Sequence, residues 1–429
     1  MKSRPFPRPA PARHLAGVTL IALWIATLGA DRFDLLGGAV PFALLPFHLL
    51  TAAVVATEWR RRLRLGNIGG LTREQGMYGA LVLGLIALAA ASVLRSADIG
   101  LSTNRVFLLA GTAVGTTLAI WGMSDREDLL PILARGAQLG LVLAVILDVV
   151  QLLSFARIVP EYVQVGPANI MLASHAYGII PRLTALSADM NGSGGTLLMQ
   201  TVLIALAGPQ VRYRRGWIVL GAVLLLVTLS RSSLLAALPV LLLFPRVYQA
   251  GRAARLALAA GALLVAAGSA ALFSEDLRAT TGRALEPLAG RFDPNEGSAQ
   301  THAHLLFRGL AEATADVPRT LLGLGYGTSH RVLTDLFPGT KYGNFHTLYL
   351  QLWVESGVFP LLVFLVLLAL SWRRAGALRG VILGFVIYNV FYQGLAQPVL
   401  WLALALVWFA ASQLEIERLR ALAPRELAA

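Results

Sequence analysis

Apolar runs separated by short polar breaks recur along the whole chain. They fall at about 15–30, 35–57, 76–94, 105–123, 129–152, 183–207, 216–230, 233–248, 256–274, 358–372, 380–394 and 397–412. A helix needs about 20 apolar residues to cross a hydrocarbon core, with shorter runs tolerated beside other helices, so the pattern predicts an all-α, polytopic transmembrane bundle of roughly 12 spans. Two long polar stretches interrupt it, Ser154–Pro181 and Ser274–Phe345. Within the second, Leu305, Leu306, Leu310 and Ala313 share one face of a helix predicted from His302 to Thr314, and Leu322-Gly323-Leu324-Gly325-Tyr326-Gly327 reads as a turn. A partly helical cap is expected there. At its end, Asn344 is placed to cap a helix whose apolar spacing comes from Phe345, Leu348, Tyr349, Leu352 and Trp353, with His346 in the first turn. The positive end of the helix dipole disfavours imidazolium, so this histidine is expected to be neutral and able to accept a proton.

Two runs need a decision. Trp217 to Phe244 contains Ser230-Arg231-Ser232-Ser233 and is either one span or two. Two spans put Arg60-Arg61-Arg62, Arg212/Arg214/Arg215, Arg246/Arg252/Arg255, Arg373/Arg374/Arg379 and Arg418/Arg420 on one side, as the positive-inside rule requires, and leave Arg231 at an outer apex. The 183–207 run starts with Asp189, Asn191, Gly192, Gly194 and Gly195, polar or flexible residues that are costly in lipid unless they face protein or water. It is expected to begin in a cavity or a re-entrant turn, with Asp189 and Asn191 able to cap it.

Composition agrees with a membrane protein: 56% hydrophobic and 14% charged residues leave too little polar surface for a soluble protein of 429 residues. The net charge of +13 raises the question of nucleic acid, but all basic residues except Lys2 and Lys341 are arginines scattered between apolar runs, the pattern of membrane orientation. No nucleic-acid partner is expected. The expected organisation is a disordered cytoplasmic tail at 1–14 leading into a span, spans 1–9 over 15–274, a large outer loop at 275–345, spans 10–12 over 346–412, and a cytoplasmic tail at 413–429. With no cysteine there is no thiol chemistry, and neither a zinc-protease helix motif nor a Gly-Lys-Ser/Thr phosphate loop occurs, so no metal or cofactor is expected. What gathers on the outer face is arginine and one histidine: Arg182, Arg231, loop arginines and His346. Guanidinium forks pair with phosphate oxygens at two points, and a neutral histidine takes a hydroxyl proton. Together they suit glycosyl transfer from a lipid-diphosphate donor. Gln351 and Glu355, one and two turns beyond His346, either orient it or bond to neighbouring helices.

The order of Arg182-Leu183-Thr184, Asp189-Met190-Asn191, Leu229-Ser230-Arg231-Ser232-Ser233, Pro318, the Leu322–Gly327 glycines, Phe345-His346-Thr347 and Glu355-Ser356-Gly357 resembles the O-antigen ligase and O-antigen polymerase superfamily, over about residues 180 to 360. The resemblance implies a metal-independent glycosyltransferase of the bacterial inner membrane, with membrane lipids around it, its active site facing the periplasm and both termini cytoplasmic. Its donor would be a glycan on undecaprenyl diphosphate and its acceptor the lipid A core of lipopolysaccharide or another glycan; polymerases of the family join lipid-linked repeat units instead. His346 would be the base, Arg231 and Arg182 would hold the diphosphate, and Asp189, Asn191 and Glu355 would support them. The chain departs from the family in the loop. An arginine is common about fifteen residues before the loop proline, where this chain has His302 and Ala303; Arg308 lies one to two turns later, and Arg291 and Arg283 are the other candidates. A lipid-linked glycan transporter, the competing class, would spread charged or broken helices through the bilayer and over both faces.

Overall fold

Every apolar run except 256–274 carries a helix in the computed structural model, which describes residues 11–31, 46–66, 69–165, 168–173, 175–177, 180–243, 297–336 and 344–410. The 256–274 run, residues 275–296 of the long loop and the 413–429 tail lie outside the described residues. The helices are α1 Pro11–Ala26, α2 Pro46–Leu65, α3 Arg73–Ser92, α4 Ile99–Met123, α5 Leu129–Phe155, α6 Met190–Leu206, α7 Arg214–Val227 and α8 Arg231–Leu243. Then follow α9 Gly297–Ala313, α10 Val317–Leu322, α11 Ser329–Leu336, α12 Leu348–Ser356, α13 Val358–Arg374, α14 Arg379–Val390 and α15 Pro398–Phe409. The first helix starts at Pro11, inside the stretch expected to be a tail. Among the described residues, three helical segments, Arg73–Arg95, Ile99–Met123 and Leu129–Phe155, are long and apolar enough to cross a membrane. Shorter apolar helices stand at Leu15–Ala26, Arg231–Leu243, Gly376–Val390 and Pro398–Phe409.

Apolar and polar residues are sorted as expected of a bundle in a nonpolar medium. Phe107, Leu83, Ile146, Leu242 and Leu362 are exposed, whereas Thr51, Ser102, Thr112, Asp148 and Gln151 are buried. Buried polar groups are costly unless bonded. Trp24 Nε1 donates to Thr51 Oγ1 at 2.7 Å. α15 is buried along its entire length and lies against α3, α4 and α6.

Contacts between helices separate two ends of the bundle. At one end, Arg126 Nη1 bonds Glu58 at 3.0 Å, Arg61 Nε bonds Glu58 at 2.6 Å, and Arg374 pairs with Glu74. Arg60–Arg62, Arg212/Arg214/Arg215 and Arg373/Arg374/Arg379 all sit on the helix termini of this end. At the other end, Ser92 Oγ donates to Ser356 Oγ at 3.3 Å, Arg95 Nε donates to the Gly323 carbonyl at 3.0 Å, and Arg182 Nη2 donates to the Leu229 carbonyl at 3.3 Å. Arg182, Asp189, Arg231 and His346 belong to this second end.

Sequence between α5 and α6 forms two antiparallel hairpins that the apolar pattern did not indicate. β1 Tyr162–Val165 pairs with β2 Ala168–Met171, and β3 His175–Tyr177 pairs with β4 Ile180–Arg182 so that His175 faces Arg182 across the ladder. The cap expected from residues 302–314 is present as α9–α11. Leu305, Ala313 and Leu333 form a small core with Phe345, Leu350 and Val354 of the α12 region. The glycine turn is built for contact with α12. Gly323 has φ 70°, and a Cβ there would lie 2.4 Å from the Glu355 carbonyl carbon; Gly357 has φ 86°, and its Cβ would lie 2.1 Å from the Leu321 carbonyl oxygen. In that space the Leu324 and Gly325 amides donate to the Val354 and Glu355 carbonyls at 3.0 and 2.8 Å.

Candidate functional site

Residues 182–191 are held in an irregular path by buried polar side chains of α5. Asp148 Oδ1 accepts from the Ala185 amide at 2.9 Å and Gln151 Oε1 accepts from the Thr184 amide at 2.9 Å, which stabilises Ala185 at φ 45°, a conformation an alanine seldom adopts. Asp31, just past α1, accepts from the Ala188 amide at 2.7 Å and from Ser187 Oγ at 3.1 Å. Burial raises the Asp31 pKa against those bonds, which lower it. Neither the strain at Ala185 nor the part played by Asp31 could be foreseen from residue order; an acid at the end of a span was the only signal.

Asp189 is the N-cap of α6, accepting from the Gly192 amide at 3.3 Å, as one of the two readings of its position anticipated. Asn191 has a different task. Its Oδ1 accepts from Ser230 Oγ at 2.7 Å and Ser232 Oγ at 3.1 Å, and its carbonyl accepts from Tyr388 Oη at 2.8 Å. The glycines that follow allow this crowding: a Cβ at Gly194 would lie 2.2 Å from Ser233 Oγ and one at Gly195 2.9 Å from Tyr388 Oη. They serve close packing of α6 against α8 and α14, which a glycine-rich helix start in sequence does not distinguish from a re-entrant turn.

The chain does break between α7 and α8, at Leu229 with φ 51°. Arg231 is the first residue of α8 and half-buried. Arg182 is buried, and its guanidinium bonds the carbonyl of Leu229, two positions ahead of Arg231. The two arginines therefore approach the same turn from β4 and α8.

His346 departs from its expected setting. The N-cap of α12 is Thr347, so His346 precedes the helix, at φ 55°. Asn344 does not cap the helix; its Oδ1 accepts from the His346 amide at 2.8 Å and holds that left-handed conformation. The reason for a neutral imidazole changes accordingly. Burial lowers the His346 pKa from 6.5, and the Asp189 carboxylate opposes it only in part. Asp189 is therefore near enough to act on His346 electrostatically. Tyr392 links the same parts, hydrogen bonding with Asp189 and accepting the Leu348 amide on its carbonyl at 3.1 Å. Tyr388 and Tyr392, one turn apart in sequence, stack edge to face at 5.1 Å and had no part in the sequence reading.

Glu355 is buried, and its Oε1 accepts from the Ser329 amide at 3.1 Å, from Ser329 Oγ, and from Gln351 Nε2 at 3.1 Å. It anchors the cap turn to α12. Arg308 is exposed on α9, and Arg291 and Arg283 lie outside the described residues. Arg319 and Arg331 are salt-bridge partners, of Glu312 and Asp316 and of Asp98. An exposed side chain that is not part of a site changes little when removed, so Arg308→Ala should leave activity within about twofold of wild type in a transfer assay. A large loss there would mean that the cap supplies a substrate contact.

What results is a junction of α6, α8, α14 and the segment before α12. The Arg182 guanidinium bonds the turn from which Arg231 starts α8, and the Asp189 carboxylate acts on a half-buried imidazole. Such a set can hold an anion and accept a proton. No protein-family model and no curated protein matches this chain.

Proposed function

We propose that the chain is a glycosyltransferase of the O-antigen ligase type. It moves a preassembled glycan from undecaprenyl diphosphate to a hydroxyl of the lipid A core at the periplasmic face of the bacterial inner membrane. The observation that carries this reading is the shared neighbourhood of Arg182, Arg231 and His346 around Asp189 and Asn191. The segregation of Arg60–Arg62, Arg212/Arg214/Arg215 and Arg373/Arg374/Arg379 at the opposite end supports the orientation, since the positive-inside rule makes that end cytoplasmic.

In the reaction, the acceptor oxygen attacks the anomeric carbon of the donor glycan. The bond from that carbon to the phosphate oxygen breaks, and its electrons leave with undecaprenyl diphosphate. His346 takes the hydroxyl proton. Arg231 and Arg182 bear the charge that grows on the leaving group, where fixed donors in a water-poor site act most strongly. Asp189 steadies the imidazolium that forms, and Asn191 fixes the Ser230–Ser233 turn that carries Arg231. No metal is needed for these steps.

Joining two lipid-linked repeat units would use the same chemistry with another acceptor. Profiling of a deletion strain separates the two. Long glycan accumulating on undecaprenyl diphosphate, with unsubstituted lipid A core, is the expected result; single repeat units accumulating would assign a polymerase, and unchanged profiles would remove both.

A further inference from the structure

A second polar feature has Tyr392 in its wall. A cavity of about 380 Å³ opens between the end of α1, the starts of α2 and α4, the cap turn and α12. Small-molecule pockets run from roughly 300 to 1,000 Å³, so it has room for a ligand of modest size. Gln351 lines it. The side chain is 8% exposed, its Nε2 donates to Gln393 Oε1 at 2.9 Å and to Glu355 Oε1 at 3.1 Å, and its Oε1 has no hydrogen-bond partner. A buried amide oxygen left without a donor costs free energy, which a hydroxyl group from a ligand would recover.

The rest of the lining points to the kind of ligand. Arg105 and His330 bring donors, while Asp31 and Glu355 bring carboxylates to the same walls, so no strong positive field builds up to hold a diphosphate. Phe47 and Tyr326 add ring surface. Acceptor oxygens, neutral amides and aromatic rings together suit a molecule with hydroxyl groups on its rim and C–H faces, which is a sugar ring. The position also fits. Gln351 is one turn along α12 from the His346 segment, and Tyr392, in the cavity wall, bonds to Asp189 near His346.

Resting on the glycosyl-transfer reading, we infer that this cavity is a subsite for one sugar ring of the glycan substrates, held by Gln351 Oε1 and Arg105 next to the proton-accepting histidine. The ring comes either from the acceptor or from the donor glycan. Two probes distinguish them: the core oligosaccharide and the donor glycan, each freed by mild acid from its lipid in the producing strain. Binding of each to the full-length chain in detergent is measured by saturation-transfer NMR. One probe is expected to bind wild type and His346→Ala alike, and to bind at least ten times more weakly to Gln351→Leu and Arg105→Ala; Gln351→Glu, which keeps an acceptor oxygen, should recover part of the affinity. Thermal unfolding of each variant checks that it is folded. For Arg105→Ala the matching change in transfer is a rise of at least tenfold in the KM of the substrate that supplies the ring, with kcat within threefold. Equal affinity of folded wild type and Gln351→Leu for both probes, or no binding of either probe to folded wild type, overturns the subsite. Failure of transfer itself is separate: wild type that binds a probe but forms no product keeps the cavity assignment and removes the transferase reading.

Discussion

Replacing His346 with alanine is expected to reduce glycan transfer by about 10²- to 10⁴-fold, the usual contribution of a positioned general base, with unchanged amounts of protein in the membrane. The imidazole is half-buried near Asp189 and precedes α12, so its loss removes the proton acceptor and leaves the Thr347 cap in place. The pH profile provides an independent check. Because burial places the folded pKa of His346 below 6.5, transfer should hold steady down to that pH and fall only below it. The same shift has a stability consequence. Between the folded and unfolded values the unfolded chain binds more protons, so this group's contribution to stability is present above pH 6.5 and lost as pH falls through the folded value. Transfer that persists in His346→Ala, measured as glycan on the acceptor in a complemented deletion strain, would exclude the histidine as base.

Arg231→Ala should lower kcat/KM for the lipid-diphosphate donor by roughly 10²- to 10³-fold, the scale for removing a preorganised donor to a charged leaving group. Arg231→Lys keeps the charge but loses the two-point fork, and it should lie between the two. The neighbouring serines make this a clean test. Ser230 and Ser232 hold the turn through Asn191, so the backbone should keep its course. Normal donor use in Arg231→Ala would take the diphosphate away from this end of α8.

Most of the bundle could be read from the apolar runs, because a helix in a nonpolar medium must bond its own backbone and is marked by length and composition. The break at Leu229 was legible as well, since two spans rather than one keep the arginine clusters on one side of the membrane. Less legible were features set by single specific contacts. The displacement of His346 from its helix follows from one hydrogen bond to Asn344, and both Asn344 and Thr347 are acceptable caps in sequence. Arg308 was one of three loop candidates for phosphate, and spacing alone does not show that it stands exposed on α9. Four-residue strands such as Tyr162–Val165 are too short to display a period, and the Asp31–Ala188 bond spans too many residues for any local pattern to announce it. Glu355 was placed one to two turns from the histidine by spacing along α12, and spacing alone does not show that its Oε1 accepts from Ser329 and Gln351.

If one site both holds the diphosphate and accepts the acceptor's proton, the purified chain in liposomes with EDTA present, supplied with undecaprenyl-diphosphate-linked glycan and lipid A core, should suffice for transfer. Glycosylated lipid A core and free undecaprenyl diphosphate are expected in equal amounts, both lost in His346→Ala. Glycan moved across the bilayer with its diphosphate bond intact, or product formation that requires a divalent metal, would contradict such a site.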